Sequence, residues 1–444
     1  MGQPLLDVQV ARRLDGTIRI AAAAALHRAE TDGGGLAVGA DFGQGVLDVA
    51  GAVLTWPVSG EPGSPSAEIH DAGRAQQWLW ALYGERVAAA VHDRAAQEPL
   101  GVPVTEEDLG VRVAADPAAL AGSAARLALG HWAARWWPAS YTDGIPALEP
   151  DVLGLELAAL THRCQQLFDG EDDQPDDCVA DLIEEHHAAL DPLVRWWRAA
   201  PQPAALADHL ESVLRLIDDA ADSTGLDTPA LRHLRSALEQ HRPAGAPLDP
   251  GALFPRPHEY ALAAGQPPGA GGRVIARGTG TNDWRRYPPG LVDAAENAVS
   301  WTARALGARR QIEVEAVAHV AAPTVGAPLV AEIHVNGGRP RRVPLGRRDD
   351  LWAGRVDLDL SDGAAPVRIE AGVLLPGFDP GPAPDHPGTS GEASGRVGRD
   401  AIRELVRRRL TAAAEPLTYD PSPHEGWGTP FLAETAAAAT GEDY

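Results

Sequence analysis

Two different periods of apolar residues divide the chain into predicted β and α regions. Residues 4–58 alternate between apolar and polar positions, which predicts strands, with a hairpin turn at Asp15-Gly16. From Asp71 onward the apolar positions recur at helical spacing, and Asp71 itself is a candidate helix N-cap. The pattern therefore predicts a β-rich segment over 1–69, followed by helices.

A predominantly α-helical domain is predicted over 70–243. Its first helix follows the N-cap, and a second begins with a cap and a proline at Asp116-Pro117 and is stopped by Pro138. Short acidic or proline-containing loops then separate further helices, predicted at about 150–168, 176–199, 203–222 and 227–241.

The region after the helices is predicted to return to β structure. Residues 244–310 read as a Gly/Pro-rich connector that ends in one helix, GLVDAAENAVSWTARALG. Alternating strands over 311–378 predict a small immunoglobulin-like β-sandwich. This stretch is short for such a fold, so strands from 4–58 could complete it. Turns are predicted where Asx-Gly pairs separate the strands, at Asn336-Gly337 and Asp362-Gly363.

The C-terminal region 379–444 is predicted to be extended. It begins with a Gly/Pro-rich flexible linker, continues with a basic helix at 397–413 and ends in a flexible tail. The predicted fold class is α+β and multidomain: an N-terminal β segment, an α-helical domain, a small Ig-like β-sandwich and an extended C-terminal tail.

The chain contains no lysine, although it has 38 basic residues in 444. The abundance of Ala, Gly, Pro and Arg points to a high-GC bacterial genome as the cause, and selection against a modifiable amine is the alternative. Either way, a P-loop lysine, a Schiff-base lysine and a lysine general base are excluded. ATP hydrolysis of the P-loop type and pyridoxal-phosphate chemistry are therefore not expected.

Charge and cysteine content restrict the partners and the compartment. The net charge of -24 disfavours nucleic acid and anionic membranes as partners. No apolar run approaches the roughly 18 residues of a membrane span, and the N-terminus lacks the apolar core of a signal peptide. Two cysteines without a CxxC pair fit a reducing compartment. We therefore expect an acidic, cytoplasmic protein.

Two Arg-Trp-Trp sequences close predicted helices, each with a proline soon after. Packing in the core is the usual role of such aromatic stripes. The alternative is an aromatic-lined groove between the two helix ends, with the arginines at its rim. The residues concerned are Trp132, Arg135, Trp136, Trp137, Arg195, Trp196 and Trp197.

The sequence RVIARGTGTNDWRRYPPG contains the most concentrated polar and aromatic signal. A strand leads through a glycine turn, but the full G-x-G-x-x-G and a following lysine are missing, so a nucleotide loop is not predicted. The favoured interpretation is an ordered crossover, and the alternative is an interaction or catalytic loop. Its candidate residues are Asp283, Trp284, Arg285 and Arg286.

No metal or cofactor site is predicted. Glu184 and His187 form one E-x-x-H sequence, whereas a carboxylate-bridged di-metal bundle needs two. No G-x-S-x-G is present to place a nucleophilic serine. Cys164 and His162 lie two positions apart on one predicted helix and point in different directions.

The tail carries two large apolar residues, Trp427 and Phe431, in a polar context rich in Gly and Pro. They either dock on their own chain or form a linear motif that orders on a partner.

Two classes of function are therefore open. The first is a non-enzymatic interaction or adaptor protein with a protein partner, in one version an accessory subunit of an ATPase-containing system. The alternative is an enzyme of unrecognised class, with a site in the helical domain around His131, Glu184 and His187 or in the loop 277–287. Converging polar groups in a pocket would favour the enzyme, and an exposed apolar patch would favour the adaptor.

Overall fold

The structure is mixed α and β, with several antiparallel sheets. The computed structural model describes residues 6–13, 15–22, 42–59, 64–96, 110–115, 119–168, 175–199, 203–240, 253–254, 273–307, 309–319, 322, 328–358, 368–378, 389–415 and 428–439. Two compact units are assembled from separate stretches of chain. The first unit comprises Met1–Ala134, Leu148–Phe254 and Arg407–Glu442, and the second comprises Arg135–Ala147, Pro255–Val406 and Asp443–Tyr444.

The strands occur at both ends of the chain. They are β1 Leu6–Arg12, β2 Ile18–Ala22, β3 Gln44–Val49, β4 Ala52–Pro57, β5 Ser66–Ile69, β6 Gly110–Ala115, β7 Arg273–Thr279, β8 Val299–Leu306, β9 Arg309–Val317, β10 Val330–Val335, β11 Arg341–Pro344, β12 Gly346–Arg348, β13 Leu351–Leu358 and β14 Ile369–Leu374.

The helices occupy mainly the middle of the chain and its C-terminal end. They are α1 Ala72–Tyr83, α2 Glu85–Ala96, α3 Ala119–Trp136, α4 Pro150–Arg163, α5 Pro175–Glu185, α6 Leu190–Arg198, α7 Ala204–Thr224, α8 Pro229–Glu239, α9 Thr389–Ala414 and α10 Leu432–Ala439. Over the described residues, no helix is long and apolar enough to cross a membrane.

An antiparallel sheet with the strand order β3-β4-β5-β2-β1-β6 belongs to the first unit. Alternate side chains of β3, β4 and β5 are buried, as the sequence pattern predicts, and Leu54 and Trp56 of β4 are almost fully enclosed. Helix α1 is anchored to this region by Trp78, whose indole N–H donates to the carbonyl of Ala50 at 2.9 Å. The hydroxyl of Tyr83 donates to the carbonyl of Pro65 at 2.9 Å.

Two antiparallel sheets belong to the second unit. The larger has the order β12-β13-β9-β8-β7, and the smaller has the order β11-β10-β14. Apolar side chains of these strands make a buried core, with Ile312 and Val314 on β9 and Ile333 on β10 fully enclosed. Trp352 on β13 is also buried and donates its indole N–H to the carbonyl of Leu291 at 2.8 Å.

Several local predictions are confirmed. Asp71 caps α1, since its carboxylate accepts from the backbone N–H groups of Gly73 and Arg74 at 2.9 and 3.1 Å. The hairpin between β1 and β2 turns at Gly16, which has a φ of 90°. Asn336 and Gly337 both have positive φ, as a two-residue hairpin turn requires. The turn predicted at Asp362-Gly363 lies outside the described residues.

Other predictions need correction. The prediction of a helix at 290–307 is wrong, because residues 299–306 form β8, which lies between β7 and β9 in the larger sheet. Buried and less buried residues alternate from Val299 onward, as in a strand. Pairing with a strand on each side outweighs the helix propensity of these residues. The N-terminal strands pair within their own sheet, with β6 from inside the predicted helical region. Part of the tail, predicted to be flexible, is helix α10.

Helix boundaries differ where the backbone changes direction. The predicted helix after Asp71 is two helices, α1 and α2, because Gly84 between them has a φ of 86°. The helix predicted at 176–199 is α5, a 3₁₀ turn at His187–Ala189 and α6. The basic helix at 397–413 is confirmed within the longer α9. The predicted domain boundaries stay a prediction.

Substitutions at Gly51 and Gly16 form a matched pair that tests how closely the backbone at Gly51 approaches the start of α1. Both have positive φ, but a Cβ at Gly51 would lie 2.3 Å from the Asp71 carbonyl oxygen, whereas a Cβ at Gly16 meets nothing within 4 Å. We expect Gly16→Ala to cost about 1 kcal/mol of unfolding free energy from backbone strain alone. Gly51→Ala should cost about 2–3 kcal/mol, because steric overlap adds to that strain. Chemical denaturation measures both, and equal losses would contradict the close approach.

Candidate interaction sites

The tryptophans of the first unit are core residues. Trp132, Trp196 and Trp197 are all buried, with exposed fractions of 3%, 2% and 2%. The indole N–H of Trp132 donates to the carbonyl of Phe42 at 2.7 Å. Trp196 packs edge to face against Phe254, with 5.9 Å between the ring centroids. Arg195, immediately before Trp196 in the sequence, is exposed. These three rings therefore match the interpretation in which the tryptophans pack in the core.

Arg135 of the second unit is held between two aromatic rings. Its guanidinium carbon lies 4.8 Å from the ring centroid of Trp136 and 4.8 Å from that of Phe378. Trp137 donates its indole N–H to the carbonyl of Pro146 at 2.8 Å. Because these residues and the Arg195 helix belong to different units, the groove between the two helix ends stays a prediction.

The sequence Asp283–Arg286 forms a tightly bonded crossover in the second unit. Asp283 accepts two side-chain hydrogen bonds from Arg285, at 2.9 and 2.8 Å, and also receives the Arg285 backbone N–H. Burial acts to raise the pKa of Asp283, but the Arg285 guanidinium outweighs it and holds the pKa below its usual value. Arg286 donates to Glu332 at 2.9 Å, and Trp284 is buried.

Fully buried polar groups fix both ends of this crossover. The amide of Asn282 donates to the carbonyls of Asp293 and Ala295, at 3.0 and 2.6 Å. The hydroxyl of Tyr287 in turn donates to the amide oxygen of Asn282. Burial raises the pKa of Tyr287, so its hydroxyl keeps the proton that it donates.

Residues of α9 complete the same network within the second unit. Arg403 lies over the ring of Trp284 at 5.0 Å and donates to the Ala294 carbonyl at 2.7 Å. Arg399 forms two hydrogen bonds with Glu296, at 2.9 and 2.6 Å. These polar groups bond to one another, as expected of an ordered crossover.

Strand β7 presents apolar side chains at the edge of a sheet. Val274 and Ile275 are 46% and 38% exposed, which is unusual for adjacent large aliphatic residues. Arg273 and Arg277 on the same strand are also exposed. In the part of the chain that the structure describes, β7 pairs with β8 alone. An edge with exposed apolar residues is a template for another strand.

The backbone of β7 has hydrogen-bonding groups that point away from β8. Immediately after β7, Gly280 donates its N–H to the carbonyl of Val299, at 2.8 Å. Antiparallel pairing alternates, so residues one and three positions earlier direct their N–H and C=O groups to the opposite side. Thr279 and Arg277 therefore offer main-chain donors and acceptors at the free edge.

The described part of the tail docks into the first unit. Phe431 and Leu432 have exposed fractions of 0%, and the ring of Phe431 lies 5.0 Å from the Arg126 guanidinium and 5.6 Å from that of Arg409. Phe431 thus docks on its own chain, and its buried ring is not accessible to a partner in this structure. Trp427 lies outside the described residues.

Buried charges hold the start of α10. Glu434, at the third position of the helix, accepts the Phe431 N–H at 2.7 Å and is bonded by Arg409 at 2.6 and 2.7 Å. This is the carboxylate half of a capping box, with a phenylalanine where Ser or Thr is usual. A Glu three residues after a possible cap is the sequence signal from which α10 could have been predicted.

Glu156 in α4 connects three other elements of the first unit. It accepts from Arg126 at 2.5 Å, from His209 at 3.1 Å and from the backbone N–H of Leu432 at 2.8 Å. Burial alone would raise the pKa of Glu156, but Arg126 and His209 outweigh it and hold the pKa at about 2. The carboxylate is therefore a buried, ionised structural group.

The described contacts do not bring the residues considered for enzymatic chemistry together into a site. His131, Glu184 and His187 are exposed, and His187 bonds to the backbone carbonyl of Glu184 at 2.6 Å. Burial raises the pKa of Cys164 to about 12, so its thiol stays protonated. Among the described residues, no three His, Cys, Asp or Glu side chains come together in a way that could hold a metal ion.

No protein-family model matches the chain, and no match was found among curated proteins or solved structures.

Proposed function

We propose that this chain is a non-enzymatic interaction or adaptor protein, and that β7 receives an extended segment of a partner protein as an added strand. The observation that carries the proposal is the exposure of Val274 and Ile275 on a sheet edge. Strand addition uses main-chain hydrogen bonds for affinity and side-chain contacts for specificity. An ATPase stays one proposed partner.

The proposed module is immunoglobulin-like. In such domains one sheet has the order A-B-E-D, and C lies beside F in the other. The order β8-β9-β13-β12 corresponds to the first arrangement, and the pairing of β10 with β14 corresponds to the second. In this scheme β7 extends the first sheet beyond strand A.

The chemistry of β7 defines the segment that it would accept. Apolar residues of the partner would pack on Val274 and Ile275, while acidic residues would meet Arg273 and Arg277. The two arginines are exposed on a chain whose net charge is -24, so they provide a local positive edge. An extended segment with both apolar and acidic residues fits this edge.

Arg277→Pro tests the added strand. Proline removes the N–H that points to the free edge and leaves the bonds to β8 in place. We expect the amount of partner that co-purifies with the tagged protein from native cells to fall at least about tenfold. The reason is that one main-chain hydrogen bond is lost and its acceptor on the partner stays unpaired. Mass spectrometry of the co-purified proteins gives the measurement.

Arg277→Ala is the matched control, since it removes the same side chain but keeps the N–H. It should retain most of the partner, and both variants should unfold at the wild-type temperature. Equal recovery with the proline and alanine variants would refute strand addition at this edge. Dimerisation of the purified chain, abolished by proline, would instead assign β7 to a second copy.

A further inference from the structure

A small cavity lies in the second unit beside the end of β14. It has a volume of about 250 Å³ and is lined by Arg286, Arg342, Leu374, Leu375, Pro376, Gly377 and Phe378. Leu374 is buried, whereas Pro376 and Gly377 are exposed, so the cavity has an apolar interior and an opening to solvent. Its volume suits a group of side-chain size rather than a large cofactor.

The charged side of this cavity carries an excess of positive charge. Arg286 and Arg342 both contact Glu332, at 2.9 and 3.3 Å, so two guanidinium groups share one carboxylate. His334 is a further titratable neighbour, with its ring 3.6 Å from the same carboxylate. A guanidinium has five N–H donors, and one shared carboxylate does not use all those of two arginines.

The apolar side is held in place by an aromatic contact. Phe378 lines the cavity, and its ring is stacked with the guanidinium of Arg135. The backbone N–H of Leu375 donates to the carbonyl of Arg286 at 2.9 Å, which ties the apolar wall to the charged wall. The backbone of Arg286 is therefore held beside Leu375.

We propose that this cavity binds a small carboxylate attached to an apolar body. The carboxylate would bond to Arg286 and Arg342, whose planar N–H groups match its two oxygens. The apolar body would lie against Leu374 and Phe378. A free organic acid and the last residue of a peptide share this chemistry. The inference is independent of strand addition at β7.

Calorimetric titration of the full chain with phenylacetate tests the proposal. We expect phenylacetate to bind at least about tenfold more tightly than phenylacetamide, which lacks the charge, and than acetate, which lacks the ring. A tripeptide ending in phenylalanine and its C-terminal amide form a second pair. Tighter binding of the free-acid peptide than of phenylacetate would identify a peptide end as the ligand.

Arg342→Gln provides the site variant, because this side chain is 63% exposed and its loss should leave the fold intact. It should weaken phenylacetate binding about tenfold. Arg368→Gln is the control, since Arg368 is similarly exposed but pairs with Glu370 and does not line the cavity. No detectable phenylacetate binding, equal binding of the amide, or an unchanged affinity in Arg342→Gln would overturn the proposal.

Discussion

Glu156→Ala is expected to lower the free energy of unfolding by about 3–5 kcal/mol, the usual loss when one partner of a buried ion pair is removed. The side chain is 1% exposed, and its loss would leave the buried Arg126 guanidinium without its carboxylate. The Leu432 N–H would also lose its acceptor. Chemical denaturation gives the measurement.

Glu211→Ala is the matched control for that variant. Glu211 pairs with Arg215 at 2.7 Å, but the Arg215 side chain is 58% exposed and that of Glu211 is 36% exposed. Such a helical surface pair contributes about 0.3–0.5 kcal/mol. If the two alanine variants lost similar stability, the buried network would not hold the first unit together.

The same carboxylate predicts acid sensitivity. Its folded pKa of about 2 lies below the ordinary value of 4.5, so its stabilisation is complete above pH 4.5 and is lost as the pH falls towards 2. Glu156→Gln should reduce this acid-dependent loss, because glutamine does not titrate. Unfolding free energies measured from pH 6 to pH 3 would show an unchanged slope if Glu156 were not involved.

Phe431→Ala is expected to cost about 3–5 kcal/mol, the scale for emptying a buried aromatic site. The ring is fully enclosed, and Gly130 lies beside it, since a Cβ there would be in van der Waals contact with the ring at 3.4 Å. Phe431→Leu keeps most of the apolar volume and should cost clearly less.

The result also separates the two roles considered for the tail. A residue that serves only as a partner anchor would change stability by less than about 1 kcal/mol when truncated. A loss that small, with partner recovery abolished, would contradict the docked position of Phe431. A large loss in stability would support a structural role for the segment that begins α10.

Local sequence signals predicted the elements whose structure depends on near neighbours. Asp71 caps α1 through contacts two and three residues away, and Asn336-Gly337 turns a hairpin. Strand β8 was missed because its state depends on pairing with β7 and β9, of which β7 lies more than twenty positions away. Helical composition in 290–307 could not reveal those partners.

The candidate sites show the same division. Trp132 and Trp196 were recognised as core candidates, because helical spacing records burial. Arg126 donates to the carbonyl of Pro430, 304 positions away, and Glu156 accepts the N–H of Leu432, 276 positions away. No local pattern encodes such contacts. The exposed pair on β7 was also missed, since an alternating strand does not reveal whether it lies at an edge.

Amide hydrogen exchange on the partner-bound protein tests the central proposal most directly. Strand addition predicts that the N–H groups of Arg277 and Thr279 exchange rapidly in the isolated chain and become strongly protected in the complex. Gly278, whose N–H is directed to β8 by the same alternation, should be protected in both states. A stable complex in which Arg277 and Thr279 exchange as fast as in the isolated chain would contradict the proposal.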